Sequence, residues 1–468
     1  MPPRTSAQVK TEQAMPVIEP IAGGNLLALR PVAAVMRSRL YPGVFQWATA
    51  AVFVLVVYQL LIGPDLASEN FGTALTWVIW WPLLPILFLL VGRFWCAICP
   101  FGTLSDAVQR LTGAKRRVPR FLKNYGIWLI DATFILITWA DHVFGVVESP
   151  WGSGVLLLMV TTAVIVSGAL FQRRAFCRYL CFLGGVAGNY SRAGMVSLRG
   201  TPAICETCKD RAACFNGTER APACPMFEFP RKMDSSANCN LCGNCVKNCP
   251  NDAIQLTVRP PTKELWFVRS PKLAESFLAV VIMGIVLVQN VTMLDTWNGM
   301  LTWLQGALGT SSYAVIFTVA FVAAIAVPMA LLSLAAAVAG RFNGETAILN
   351  FTRFGYALIP LDIAGHVAHN LFHLLAEGKA VVYTSTALVG AEDNGASAAI
   401  VSTGKIQVLQ YTLLALGMLA SLYTAYRIAR SRFSVGSARR TLAPYAAIIV
   451  ALAILNFGLF ALPMAMRM

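Results

Sequence analysis

The sequence predicts a polytopic α-helical membrane protein with about nine transmembrane helices and a cytoplasmic N-terminus, interrupted by a cytoplasmic, cysteine-rich α+β insert. Three observations predict it. Of 468 residues, 57% are apolar and 13% charged, against about 25% charged in soluble proteins. Mostly apolar runs of about 18 or more residues recur, the length a helix needs to cross a bilayer. All 12 cysteines fall between Cys96 and Cys249, as reduced, metal-ready thiols on a cytoplasmic face would.

The elements follow in order. Residues 1–44 form a polar arm without an apolar core and cleavage site, so no leader is expected. Within it, Leu26–Leu40, with Arg30, Arg37 and Arg39, reads as a short helix on the membrane surface. Apolar segments lie near 45–62, 73–92, 126–146, 151–171, 273–293, 312–338, 351–375, 406–427 and 442–464. The charge ledger supports this count. Basic loops carry Arg110, Lys115, Arg116, Arg117 and Arg120, then Arg173, Arg174 and Arg178, then Arg341 and Arg353, then Arg427–Arg440. The alternating loops carry Asp65 and Glu69, Asp141 and Glu148, Asp295, and Glu392 with Asp393. That alternation is the positive-inside pattern. It explains the net charge of +15 without nucleic acid. The division is an arm (1–44), a four-helix membrane half (45–198), the insert (199–265) and a five-helix half (266–468).

The insert carries the main chemical signal. Cys239, Cys242, Cys245 and Cys249-Pro250 form a C-x2-C-x2-C-x3-C-P run, the bacterial ferredoxin spacing in which the fourth Cys serves the other cluster of a two-cluster domain. The crossed assignment gives one [4Fe–4S] cluster to Cys239, Cys242, Cys245 and Cys224, and the other to Cys205, Cys208, Cys214 and Cys249. The insert therefore reads as a two-cluster ferredoxin-like domain. Zinc knuckles pair C-x2-C units across a longer gap, so the second run argues against zinc. The first run is stretched, and a single cluster stays open there.

An internal repeat stands at the span ends. Span two closes in Arg93-Phe-Trp-Cys96-Ala-Ile-Cys99-Pro100-Phe-Gly102, and span four in Arg174-Ala-Phe-Cys177-Arg-Tyr-Leu-Cys181-Phe-Leu-Gly184. Two Cys pairs in matching positions suit a metal, a further cluster or dithiol redox chemistry; small packing residues are the plain alternative.

These paired motifs, with the ferredoxin-type run downstream, resemble the NosR/NapH/MauN-type membrane polyferredoxins over residues 45–293, and more loosely the CcoG-type proteins of oxidase assembly. Cys96 and Cys99 are separated by two residues where three are more usual, and Phe182 stands where Pro would follow Cys181. The resemblance implies a bacterial inner-membrane electron-transfer protein that serves periplasmic reductases or dehydrogenases, often from a quinol pool. It makes Cys96, Cys99, Cys177 and Cys181 membrane-edge thiols, and the eight cysteines from Cys205 to Cys249 cluster ligands.

Span seven holds a second signal outside that resemblance. At 100° per residue Asp362, His366, His369, His373 and Glu377 share one face, and three of the protein's four histidines lie there. Ionisable groups at membrane depth face a cavity, a partner or a cofactor. Four readings compete: haem b, with His142 as an imidazole from span three; copper or another metal, with Asp362 and Glu377 behind the ligands; a proton or quinol site; and histidines capping a wet helix end. His366 and His369 are the deepest.

The expectation is an electron conduit between a soluble cytoplasmic redox protein or the quinone pool and a periplasm-facing redox enzyme, embedded in the lipid bilayer. Quinol oxidation or reduction is the enzymatic form this would take. No nucleophile–base pair, phosphate loop or dinucleotide fingerprint is evident. The rival is a copper reductase or metal-cofactor assembly factor using the four membrane-edge thiols and the histidine face.

Overall fold

A computed structural model describes residues 24–390 and 397–463. The first 23 residues of the arm, the acidic pair Glu392 and Asp393, and residues 464–468 lie outside it. Eight helical stretches are long and apolar enough to cross a membrane. Helix α1 (Gly43–Ile62) is followed by α2 (Trp81–Val91), which enters through a π-helical run, Ala74–Trp80. A kink at Gly92 and Arg93 and a one-turn helix, Trp95–Ile98, then lead into α3 (Pro100–Thr112). Helices α4 (Arg120–Phe144) and α5 (Pro150–Leu170) complete the first half, and α6 (Phe182–Ala193) leads into the insert. The insert pairs β1 (Val196–Gly200) with β2 (Ile254–Val258), antiparallel from Val196 opposite Val258 to Gly200 opposite Ile254. The second half comprises α7 (Leu273–Thr292), α8 (Tyr313–Asn343), α9 (Ala347–Phe354), α10 (Ile359–Ala376), α11 (Thr403–Arg432) and α12 (Val435–Ala461).

The seventh apolar segment, 351–375, is divided. Helix α9 stops at Phe354, a 3₁₀ turn spans Gly355–Ala357, and α10 restarts with Pro360 in its first turn. Gly355 sits where a Cβ would meet the Ser276 side chain at 2.5 Å. Glycine there lets the turn lie against Ser276. With Asp362 and three histidines in it, α10 is not among the eight long apolar helices.

Burial is uneven. Every residue of α10 from Ile359 to Asn370 is buried, and α7 beside it is nearly so. The outer helices keep large apolar side chains exposed, among them Val54, Met159, Val322, Leu416 and Ile454, as lipid-facing helices do. Two helices thus form the centre of the bundle, and the long outer helices turn apolar faces outward.

The arm helix, Arg30–Arg37, belongs elsewhere than its sequence suggests. It packs on the insert. The Tyr41 hydroxyl donates to the Leu241 carbonyl at 2.7 Å, Arg37 pairs with Asp252 at 3.0 Å, and Asn25 accepts from the Leu256 amide at 3.1 Å. Leu27, Met36 and Tyr41 share a small core with Leu198, Leu241, Val246 and Leu256. The amphipathic face reads as a membrane face because protein and lipid offer the same apolar surface.

Candidate functional site

The insert gathers its eight cysteines around two hollows. One is lined by Cys205, Cys208, Cys214 and Cys249, the other by Cys224, Cys239, Cys242 and Cys245. Local geometry explains how one loop supplies so many thiols. Leu241 and Gly243 adopt left-handed backbone, φ 56° and 77°, which turns the Cys239–Cys245 loop back on itself. A Cβ on Gly243 would lie 2.8 Å from the Met36 carbonyl, so glycine also lets the arm close over the loop. The stretch between Cys208 and Cys224 is a helical turn, Ala213–Asn216, and a hairpin pairing Gly217–Thr218 with Ala221–Pro222. That hairpin sends Cys214 to one hollow and Cys224 to the other. Asn248 fastens it, donating to the Ala221 carbonyl at 3.0 Å and accepting from Thr218 at 2.6 Å.

The donor set suits a polycationic guest. Burial pushes the Cys242 thiol up to about 12, with Cys224 adding to it, and pushes Cys239 up to about 11. Cys214 is pushed up to about 11 by burial and then by Cys249 and Cys205. Crowded buried thiols ionise only against a cation. Backbone amides offset part of this rise: Leu241 at Cys239, Asn244 at Cys242, and Met226 and Glu228 at Cys224. The Ala253 amide donates to Cys249 Sγ at 3.2 Å. Among the described residues no group of three or more His, Cys, Asp or Glu is drawn tightly enough for a single metal ion. Each insert hollow is lined by four thiols, the number of ligands a cubane cluster takes.

The membrane-edge pairs form a third set. Cys99 is the N-cap of α3 and Cys181 the N-cap of α6. The backbone amides of Phe101 and Gly102 favour the thiolate at Cys99, and that of Gly184 at Cys181. Two helix N-termini therefore aim their positive ends at these thiols. Phe182 leaves the cap intact where Pro would be expected. Cys96, Cys99, Cys177 and Cys181 lie within electrostatic reach of one another. The repeat's arginines are both buried, each 2% exposed. Arg93 Nη1 donates to the Ala237 carbonyl at 2.6 Å. Arg174 donates to the Cys96 carbonyl at 2.7 Å and forks onto Asp106 at 2.6–3.1 Å. Each arginine lies against the other motif's glycine. A Cβ on Gly102 would strike Arg174 at 2.5 Å, so Gly102 makes room for it, whereas one on Gly184 would stand in ordinary contact with Arg93 at 3.5 Å. The repeat was legible in the sequence, but this crossing was not, because it depends on how the hairpins face.

Arg174 also joins the third set to the insert, since it acts electrostatically on both Cys177 and Cys242. Next to it, the Arg173 guanidinium sits over the rings of Phe215 and Phe227, 4.3 and 5.2 Å from their centroids, and donates to the Cys224 carbonyl at 3.3 Å. Arg178 pairs with Glu228 at 3.2 Å.

The histidine face of α10 is buried throughout. His366 bonds Tyr190 at 3.0 Å through Nδ1, His369 bonds Asn290 at 2.8 Å, and His373 bonds Glu377 at 3.2 Å. Neither oxygen of Asp362 meets a protein donor. His142 lies apart from this row: its Nδ1–H donates to the Thr138 carbonyl at 3.0 Å, and its ring stacks on Phe317 at 5.0 Å. Tyr190 and Asn290 come from α6 and α7, and no local sequence signal marks them. An aromatic series links the third thiol set to this face: Trp95 to Trp80 at 5.8 Å, Trp80 to Trp81 at 6.3 Å, and Trp81 to His366 at 6.1 Å. A slot of ≈ 70 Å³ beside it is lined by Trp77, Trp80, Trp81, Phe101, Phe182 and His369, among others.

Comparison with known proteins falls on the cysteine half. A 4Fe–4S binding domain model matches residues 73–119 and 153–197, the two hairpins with the repeated motifs. A second 4Fe–4S binding domain model matches 235–255. The chain is 27% identical over 234 residues to YccM of Escherichia coli (strain K12), described as an electron transport protein; the match covers 44% of this chain and 61% of YccM. It is 24% identical over 199 residues to the ferredoxin-type protein NapH of the same organism, covering 38% of this chain and 66% of NapH. The chain thus spans less than two thirds of either relative. No solved structure matches it.

Proposed function

We propose that this chain, a member of the NapH-like 4Fe–4S family, carries electrons through three stations: two in the insert and one at the membrane edge. Its broad class is iron–sulfur electron transfer. The crossed quartets of the insert hold two [4Fe–4S] clusters, and Cys96, Cys99, Cys177 and Cys181 hold a third. Bound there, such clusters supply reversible one-electron storage. The chain's own part is to hold the thiolates, exclude water and set the local charge. The helix N-termini behind Cys99 and Cys181, and the buried Arg93 and Arg174, favour negative charge at the membrane-edge site.

The observation that carries this reading is the sorting of all twelve cysteines into three sets of four, with Arg174 in electrostatic reach of two sets. The charge alternation of the loops supports placing the insert in the bacterial cytoplasm, where a soluble redox protein reaches it. On the membrane side, the aromatic slot and the rings from Trp95 to His366 lead toward a lipophilic partner of the quinone class. From there electrons pass to or from a membrane or periplasmic redox enzyme. In this reading the bent α9–α10 segment spans the bilayer as a ninth crossing.

Metal analysis and low-temperature paramagnetic resonance on anaerobically purified protein test the proposal. Three stations predict about twelve iron and twelve sulfide per chain. About eight iron would confine the clusters to the insert, and stoichiometric copper lost on Cys96→Ser with Cys177→Ser would establish the metal-handling rival.

A further inference from the structure

A cavity of ≈ 360 Å³ opens on the insert, between the β1–β2 sheet and the segment Pro230–Asp234. The aromatic slot measures ≈ 70 Å³ and each thiol hollow of the insert ≈ 20 Å³. Of these spaces only this one reaches the size usual for small-molecule sites, about 300–1,000 Å³. Its lining is cationic: Arg199, Arg231, Lys232, Arg259, Lys263 and Arg269 stand against Asp234 and Glu264. Six cations against two carboxylates leave a surplus of four.

The cations divide by what they already hold. Arg199 and Arg259 are committed to Glu264, and Arg259 also donates to the carbonyls of Gly194, Ser191 and Arg192. Among the described residues Arg231, Lys232, Lys263 and Arg269 make no salt bridge. Lys263 feels the crowding: burial, then Arg427 and Arg259, push its ammonium below the ordinary range. An anion in the cavity would relieve this. The walls are shared with the thiols: Pro230 and Met233 also line the Cys224, Cys239, Cys242 and Cys245 hollow, and Arg231 also lines the other.

We infer that this cavity binds a phosphate-bearing anion. Two features favour phosphate over a lone carboxylate. The uncommitted set mixes arginine forks with lysine point charges, the combination that recognises phosphate oxygens. The surplus also matches a polyvalent anion such as a diphosphate. Two sources offer that chemistry: a soluble nucleoside diphosphate entering from the insert side, or an anionic phospholipid headgroup, since Arg269 lies four residues before α7 begins. Either would place negative charge against both thiol sets of the insert, which makes this a site for tuning them from outside. The binding claim stands apart from the electron-transfer reading.

Full-length, iron-loaded protein in nanodiscs of zwitterionic lipid is titrated with ADP and with inorganic pyrophosphate by calorimetry. In a second arm, phosphatidylglycerol is added to the nanodiscs, and lipid retained per chain is read by native mass spectrometry. One saturable site per chain is expected in at least one arm, weakened about tenfold or more in Arg231→Glu with Lys263→Glu. Arg231→Ala with Lys263→Ala, checked for unchanged iron, covers the case in which charge reversal unfolds the insert. Binding of ADP or pyrophosphate assigns the soluble source, and retention of phosphatidylglycerol alone assigns the lipid. No saturable binding in either arm at millimolar ligand, or binding that both variants leave unchanged, overturns the site.

Discussion

In the cysteine half of the chain the buried charges at the membrane edge are arginines; on the central helix of the histidine half they are a carboxylate and imidazoles. Arg93 and Arg174 are held by carbonyls, Arg174 also by Asp106 and by the space Gly102 leaves, and they face thiols. Asp362 meets no protein donor, while His366, His369 and His373 are each tied through Nδ1 to one neighbour. The first arrangement sets cations against thiols that would ligate a cluster. The second ties each imidazole through one ring nitrogen and leaves the Asp362 carboxyl without a protein donor. The comparison teaches where iron is expected: thiols gathered in fours around a hollow supply the ligands of a cluster core, whereas the imidazoles are each tied to a separate neighbour.

The sharpest way to break this contrast is to remove one ligand from each half. Cys242→Ser is expected to cost the protein about four irons and one paramagnetic signal, and His366→Phe none. Iron lost on His366→Phe would place a metal on the histidine face. Next in size, Arg174→Ala leaves Asp106 partly buried without its partner and should destabilise the protein by about 3–5 kcal/mol, read as a fall in thermal midpoint in detergent. Arg174→Lys should recover only part of this, because an ammonium cannot fork onto a carboxylate.

Glu264 gives a pH test of the insert. Burial raises its carboxyl, but Arg259, Arg199 and Arg192 outweigh this and hold it at about 2, below its ordinary 4.5. A depressed carboxyl stabilises the fold above its unfolded value, and the contribution fades as pH falls from about 4.5 through about 2. The difference amounts to about 3 kcal/mol. Glu264→Gln should lose that at pH 7 and converge with the parent protein near pH 2 in denaturant midpoints. Convergence already at pH 6 would show that the three arginines do not set this carboxyl.

Smaller effects refine the contrast. Gly102→Ala pushes a methyl into Arg174 and should cost about 1–3 kcal/mol, with iron retained at the insert. His366→Phe forfeits one buried hydrogen bond to Tyr190 and should cost about 1 kcal/mol in thermal midpoint. A much larger loss would show that the histidine row is a cooperative network rather than separate pairs.

Patterns local in sequence were legible, and patterns made by facing surfaces were not. The Cys239–Cys249 run announced its chemistry through spacing, and the apolar segments announced the bundle. The ferredoxin-type hollows use cysteines close in the chain, so their grouping was readable. The glycine–arginine contact between residues 102 and 174, and the partners Tyr190 and Asn290, join elements far apart in sequence and leave no periodic trace. The glycine at the bend, Gly355, escaped for a related reason: the residue packed against it, Ser276, belongs to another helix. The stacking of His142 on Phe317 of α8 was likewise not readable, because it joins two helices far apart in sequence.

The arm has a consequence for biosynthesis. Tyr41 closes on Leu241 across 200 residues of sequence, and Gly243 lies under Met36. The arm is made early but can dock only after four helices and most of the insert have left the ribosome. Contacts of such separation form late. The arm is thus a closing piece: it can cover the cysteine loop only once that loop has itself been made.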